Sequence, residues 1–269
     1  MNRLEREKHQ MAQMDRRYQV AGTATREVGR VDEGLRSYML GVYNYMAGGV
    51  ALTGLVAYGL FNALTTTDAG QAAAKLKNGI MLTEAGKMLY TSPLMWVVAL
   101  APLAFIFLLG FRAHKMSVSS AQLTFWAFAA VMGASLSSIF LRYTGASITQ
   151  MFFVTAAAFS ALSLWGYTTK KDLTGWGSFL FMGVVGIIIA GLVNIFLQSS
   201  ALQFAISSIG VLVFAGLTAY DTQRIKDEYY LVAGDAAAAG KAAIFGALSL
   251  YLDFVNMFTS LLSLFGNRE

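Results

Sequence analysis

Seven stretches of nearly continuous apolar sequence dominate this chain of 269 residues, at positions 39–64, 94–111, 121–141, 147–166, 178–198, 201–220 and 243–264. A hydrocarbon layer of roughly 30 Å is crossed by about 20 helical residues, so each stretch has approximately the length of one span. Within that layer no water satisfies the backbone N–H and C=O groups, which leaves only helices and closed barrels as spanning structures. The period-two alternation of barrel strands is missing from all seven, so helices follow. Composition agrees, with 56% hydrophobic and 13% charged residues, too apolar a balance for a water-soluble domain of this length. The expected fold is all-α: a seven-transmembrane-helix bundle in residues 39–269 behind a polar, cytoplasmic tail in residues 1–38.

Orientation follows from Lys and Arg in the short loops. Arg3, Arg6, Lys8, Arg16, Arg17, Arg26, Arg30 and Arg36 crowd the tail, and the even-numbered loops add Arg112, Lys115, Lys170, Lys171, Arg224, Lys226 and Lys241. The odd-numbered loops hold Lys75, Lys77, Lys87 and Arg142. This asymmetry puts the N-terminus in the cytoplasm and the C-terminus outside. The tail is too polar for a signal peptide and is expected to be retained. Its acidic residues offset many of its basic ones, so the net charge of +5 reflects topology and gives no reason to expect a nucleic-acid partner. Without cysteine there is no disulfide or thiol chemistry. The two histidines, His9 and His114, lie in polar regions and make no metal site, and no cofactor is expected.

A weak internal echo is visible. Tyr167-Thr168-Thr169-Lys170-Lys171-Asp172 closes the fourth apolar stretch, and Tyr220-Asp221-Thr222-Gln223-Arg224 closes the sixth, 53 positions later. Phe111-Arg112 closes the second at similar spacing. Three parallel hairpins around a central seventh helix would produce this pattern. Gly133 with Ser137, and Gly186 with Ala190, have the small-xxx-small spacing of helix contacts. Asn194 is read either as interhelical glue or as pathway lining.

Asp253 is the misfit. It lies near the middle of the last apolar stretch, where a carboxylate costs about 2.5–3.5 kcal/mol on insertion scales. Steps of four and three residues put Ala242, Gly246, Ser249, Asp253, Asn256, Ser260 and Ser263 on one helix face, with apolar residues on the others. Such a stripe faces a bundle interior or a watery cavity, so Ser249, Asn256 and Ser260 are candidate pathway-lining residues around Asp253. Asp221, at the end of the sixth stretch, is either a solvated helix-end residue or a second functional carboxylate. Two carboxylates brought together would share one proton near neutral pH in place of two negative charges. Such a pair is also a transient site for Ca²⁺, a hard ion that prefers oxygen ligands. Arg112 is either a topological anchor or a latch that pairs with ionised Asp221. By hydropathy Asp253 lies about 15 Å deep while Asp221 lies near the surface, so a direct pair needs the sixth helix to sit deeper or the seventh shallower.

The segments Tyr220-Asp221-Thr222-Gln223-Arg224-Ile225-Lys226 and Leu250-Tyr251-Leu252-Asp253-Phe254-Val255-Asn256-Met257-Phe258, with the closing Leu264-Phe265-Gly266, resemble the last two helices of the Bax inhibitor-1 family. This is also called the transmembrane Bax inhibitor motif family. The resemblance continues through Ser147-Ile148-Thr149-Gln150 and Gly166-Tyr167-Thr168-Thr169-Lys170-Lys171-Asp172-Leu173. It implies a seven-helix bundle with a central last helix, and a pH-sensitive calcium leak that carries Ca²⁺ in response to protons. It further implies an aspartate pair matching Asp221 and Asp253, with a latch matching Arg112. A bacterial member would sit in the cytoplasmic, or inner, membrane. One departure is the loop between the aspartates, which looks longer than in short bacterial members because of Ala236–Ala239. Bacterial relatives also include a modulator of a membrane-anchored ATP-dependent protease, so regulation of such a protease is the alternative function and that protease a candidate partner.

Enzymatic readings fail on the residues. Leu250-Tyr251-Leu252 stands where an intramembrane aspartyl protease has Gly-x-Gly before its second aspartate. A rhomboid dyad lacks a histidine within any apolar stretch, and no His-Glu-x-x-His occurs. No catalytic residue is assigned.

Overall fold

The computed structural model describes residues 3–112 and 115–268, with side chains from Glu33 onward except at 108, 109 and 112. Its helices are α1 Arg3–Leu64, α2 Glu84–Thr91, α3 Leu94–Arg112, α4 Val118–Leu136, α5 Gly145–Thr168, α6 Trp176–Leu197, α7 Ser200–Val232 and α8 Ala236–Phe265. Between α1 and α2 a small antiparallel sheet of β1 Thr65–Thr66, β2 Ala74–Lys75 and β3 Met81–Leu82 runs in the order β1-β3-β2. Side-chain caps mark the helix starts. Thr83, Ser117, Thr144, Ser199 and Asp235 each accept from a backbone N–H of the following turn, satisfying donors that have no intrahelical partner.

Among the described residues six helices are long and apolar enough to cross a membrane, and the bent pair α2–α3 raises the number to seven if taken as one broken span. That pair turns by 64° at Ser92-Pro93, where proline cannot continue the incoming hydrogen-bond ladder. The chain is therefore a multi-spanning, all-α integral membrane protein. Helix ends differ from the hydropathy reading, two of them around the aspartates. Polar residues end the sixth apolar stretch at 220, yet α7 continues to Val232, and Ala236–Ala239 form the first turn of α8 in place of an extra loop.

Burial differs sharply between helices. In the most apolar 18-residue window of α8 half the residues are buried, against 6% in α6. The former packs on α1, α4, α5 and α7, while α6 packs chiefly on α7 and turns its remaining surface outward. Tyr251 anchors the packing of α8. Its ring meets Phe125 and Phe128 edge-on at centroid distances of 5.9 and 5.8 Å. Thr53 gives its one hydroxyl proton to Ala129 O at 2.9 Å, so the 2.6 Å bond between Tyr251 and Thr53 is donated by the tyrosine.

Of the two expected small-residue contacts, the structure keeps one. A Cβ on Gly133 would lie 2.7 Å from Thr53 O, and Ser137 is fully buried and accepts from Tyr90 Oη at 3.0 Å. Gly186, by contrast, faces open space. The α6 contact with α7 runs instead through Gly183, where a Cβ would meet Val213 at 2.9 Å.

Candidate functional site

Asp253 is 4% exposed, and its Oδ2 is buried without a hydrogen-bond partner among the described residues. The small and polar stripe that carries it lies along α7. Gly246 packs on Ile225, Ser249 accepts from Arg224, Ser260 sits against Gly210, and Ser263 accepts from Ser207 at 3.0 Å. Small residues on both helices permit this close antiparallel approach. The register follows directly, with 225 beside 246, 224 beside 249, 210 beside 260 and 207 beside 263. Asp221 and Asp253 come within about one helical turn of the same level in this register. The depth mismatch inferred from hydropathy disappears because α7 does not stop at Asp221.

Asp221 is 8% exposed, which removes the reading of a solvated helix-end residue. Its Oδ1 accepts from Arg224 Nε at 3.1 Å and lies 3.0 Å from Arg224 Nη2. The same Nη2 donates to Ser249 Oγ at 3.0 Å, so one guanidinium ties the buried carboxylate on α7 to the polar stripe of α8. Sequence reasoning counted Arg224 only among the topological charges. The missed signal was its spacing, three residues after Asp221 and therefore on the same helix face.

The remaining candidates separate. Ser249 belongs to the Arg224 contact, while Asn256, half-buried, turns its amide back to Leu252 O at 2.8 Å within α8. Ser260 lies in the α7–α8 seam against Gly210. The side chain of Arg112, the expected latch, falls outside the described residues, as do those of His9 and His114. Asn194 belongs to the α6–α7 turn, accepting from Ser199 N at 3.0 Å and donating to Gln203 Oε1 at 3.2 Å. Among the described residues no cluster of three or more His, Cys, Asp or Glu forms a metal site. At the end of the bundle near Arg224, Gln223 accepts from Leu173 N and donates to Lys171 O, both at 2.8 Å, and Lys226 reaches Tyr167 O at 2.9 Å. The two echo sequences thus meet at one end of the bundle.

Residues 35–269 match the family model described as inhibitor of apoptosis-promoting Bax1. The chain belongs to the Bax inhibitor-1 family. It is similar over 96% of its length, at 47% identity, to an uncharacterized protein of Caulobacter vibrioides that it covers completely. Identity is 44% to a protein of Rickettsia prowazekii, over 92% of this chain and 96% of that one. It is 42% to inner membrane protein YbhL of Escherichia coli, over 88% of this chain and 94% of the relative. Membership in the Bax inhibitor-1 family carries the non-enzymatic reading of the chain.

Proposed function

We propose that this protein is a pH-sensitive leak for cations, calcium foremost, opened by protonation of the carboxylate pair Asp221 and Asp253. The observation that carries the reading is the buried Oδ2 of Asp253, which has no donor among the described residues. A proton or a hard cation is what such an oxygen can accept at that depth. In this reading α8 is the central helix of three surrounding hairpins, and its stripe through Ser249, Asn256 and Ser260 borders the pathway. Arg224 takes the role of the latch that the resemblance gave to Arg112. While Asp221 is ionised, Arg224 pairs with it and holds Ser249 across the seam. Protonation of Asp221 ends the ion pair, releases the guanidinium toward solvent and loosens that end of the α7–α8 contact. The relative in Escherichia coli is named an inner membrane protein, and we place this chain likewise, with its N-terminus in the cytoplasm.

Calcium flux into proteoliposomes, measured between about pH 6 and pH 8, tests the reading. Flux should depend on pH in the wild type and lose that dependence in Asp253→Asn. Flux that ignores both pH and the substitution would favour the regulatory alternative, in which the protein binds a membrane-anchored quality-control protease.

A further inference from the structure

The opposite end of the α7–α8 seam opens into a cavity of about 1090 Å³ between the β1–α2 region, the α4–α5 turn, the α6–α7 turn and the C-terminal residues. Lys77, Arg142 and Arg268 line it, and no Asp or Glu occurs among its described lining residues. None of the three makes an ion pair with a described carboxylate. Three cations lining one cavity repel one another and favour an anionic occupant. We infer that this cavity is a binding site for a phosphate-bearing anion, seated between Lys77, Arg142 and Arg268.

Hydrogen bonds fix the segments that present these groups. Asn78 donates to Leu141 O at 2.9 Å, which ties the loop of Lys77 to the segment of Arg142. Tyr143 forms a backbone bridge with Arg268, whose guanidinium lies 6.0 Å from the centre of the Tyr143 ring. Thr144 N donates to Asn267 O at 3.1 Å, and Asn267 N to Ser147 Oγ at 3.0 Å, pinning the same strand from both sides. A further donor set comes from the α6–α7 turn. Gln198 lines the cavity with φ of 49°, a left-handed backbone uncommon for a residue other than Gly or Asn and a form of local strain that clusters at ligand sites. Ser199 caps α7, whose positive N-terminal end adds to the field of the three cations. The geometry suits an anion with several acceptor oxygens, because arginines bind phosphate bidentately. The exposed Phe204 on the rim offers an apolar flank beside it. Two sources share this chemistry: the headgroup of an anionic phospholipid and free phosphate.

Intrinsic tryptophan fluorescence of the full chain in neutral detergent, followed on heating, separates them. The probes are dihexanoyl phosphatidylglycerol, dihexanoyl phosphatidylcholine and inorganic phosphate at matched ionic strength. The expected result is a saturable rise in Tm with phosphatidylglycerol or phosphate, weakened about tenfold in Arg142→Gln/Arg268→Gln. A response to phosphatidylglycerol but not phosphate assigns the site to a lipid headgroup, and saturation by phosphate alone assigns it to the free anion. No saturable shift with either, or the same titration in the double variant, overturns the site. An equal response to phosphatidylcholine overturns it as well, since a net charge is then not what is recognised. Should the double variant fail to fold, Lys77→Gln on the exposed loop decides: weakening of about threefold or more supports the site, and an unchanged titration overturns it.

Discussion

Arg224 holds Asp221 with two nitrogens on one oxygen, at 3.1 Å from Nε and 3.0 Å from Nη2, and spends the same Nη2 on Ser249 of the neighbouring helix. The arginine side chain is 46% exposed and the aspartate side chain 11%. The cation therefore covers a buried carboxylate from its more exposed side. Arg224→Gln removes the charge but leaves an amide able to reach one partner. In the leak reading, proteoliposome flux at neutral pH should rise severalfold in this variant and respond less to acidification. Unchanged flux with a lower Tm would make the contact a structural tie only.

Ser249→Ala separates the two halves of that contact. It deletes the acceptor on α8 and leaves the ion pair with Asp221 in place. An exposed hydrogen bond to a charged group contributes about 1 kcal/mol or less. The expected outcome is a small fall in Tm and a rise in neutral-pH flux smaller than that of Arg224→Gln. A rise as large as that of the arginine variant would show that the serine, and not the ion pair, keeps the seam closed.

Close backbone approach makes a third prediction, and Gly186 supplies its control. A Cβ on Gly166 would run into the carbonyl of Ala219, where α5 crosses α7. Because the obstacle is backbone, a side chain there cannot be accommodated by a change of rotamer. Gly166→Ala should therefore destabilise by about 1–3 kcal/mol, read as a lower Tm in detergent. Gly186→Ala meets open space and should stay within about 0.5 kcal/mol of wild type, with the higher helix propensity of alanine in its favour. Equal effects at the two positions would refute the α5–α7 packing.

Much of this could be read from the sequence because membranes make the backbone problem severe. Each of the seven apolar stretches falls on a helix, the third running past Leu136 into a 3-10 turn and the fifth passing Leu197 by one residue, and the α8 stripe was readable from its spacing alone. Asp253, a charge among apolar residues, stood out for the same reason. What stayed hidden depends on partners distant in sequence. Hydropathy stops α7 where polar residues begin, but Asp221, Thr222 and Ile225 are buried by neighbouring helices and the helix runs on past them. Glycines of equal appearance divided, Gly133 meeting backbone and Gly186 meeting none, because spacing names a helix face without saying which neighbour covers it. Arg224 was legible as a charge and illegible as the partner of Asp221 until α7 was known to continue beyond it.

Outside the apolar spans, the α5–α6 turn provides a pH-dependent element whose sign can be worked out. The exposed Asp172 accepts from Thr174, including its backbone N–H at 2.8 Å, and these hydrogen bonds hold its carboxyl below the usual carboxylate range. A carboxyl lowered in the folded state contributes its stability above the unfolded-state value and loses it as pH falls through the folded one. The turn should therefore be tight at neutral pH and loosen only on acidification. Hydrogen exchange at the Thr174 amide, corrected for its intrinsic pH dependence, reads this directly. Protection should fall at acid pH in the wild type and be low at every pH in Asp172→Ala. Asp172→Asn keeps a carbonyl oxygen that accepts the same bond but does not titrate, so its protection should persist into acid. Loss of protection in Asp172→Asn at the same pH as in wild type would assign the acid response to another group, because asparagine has no proton to gain there.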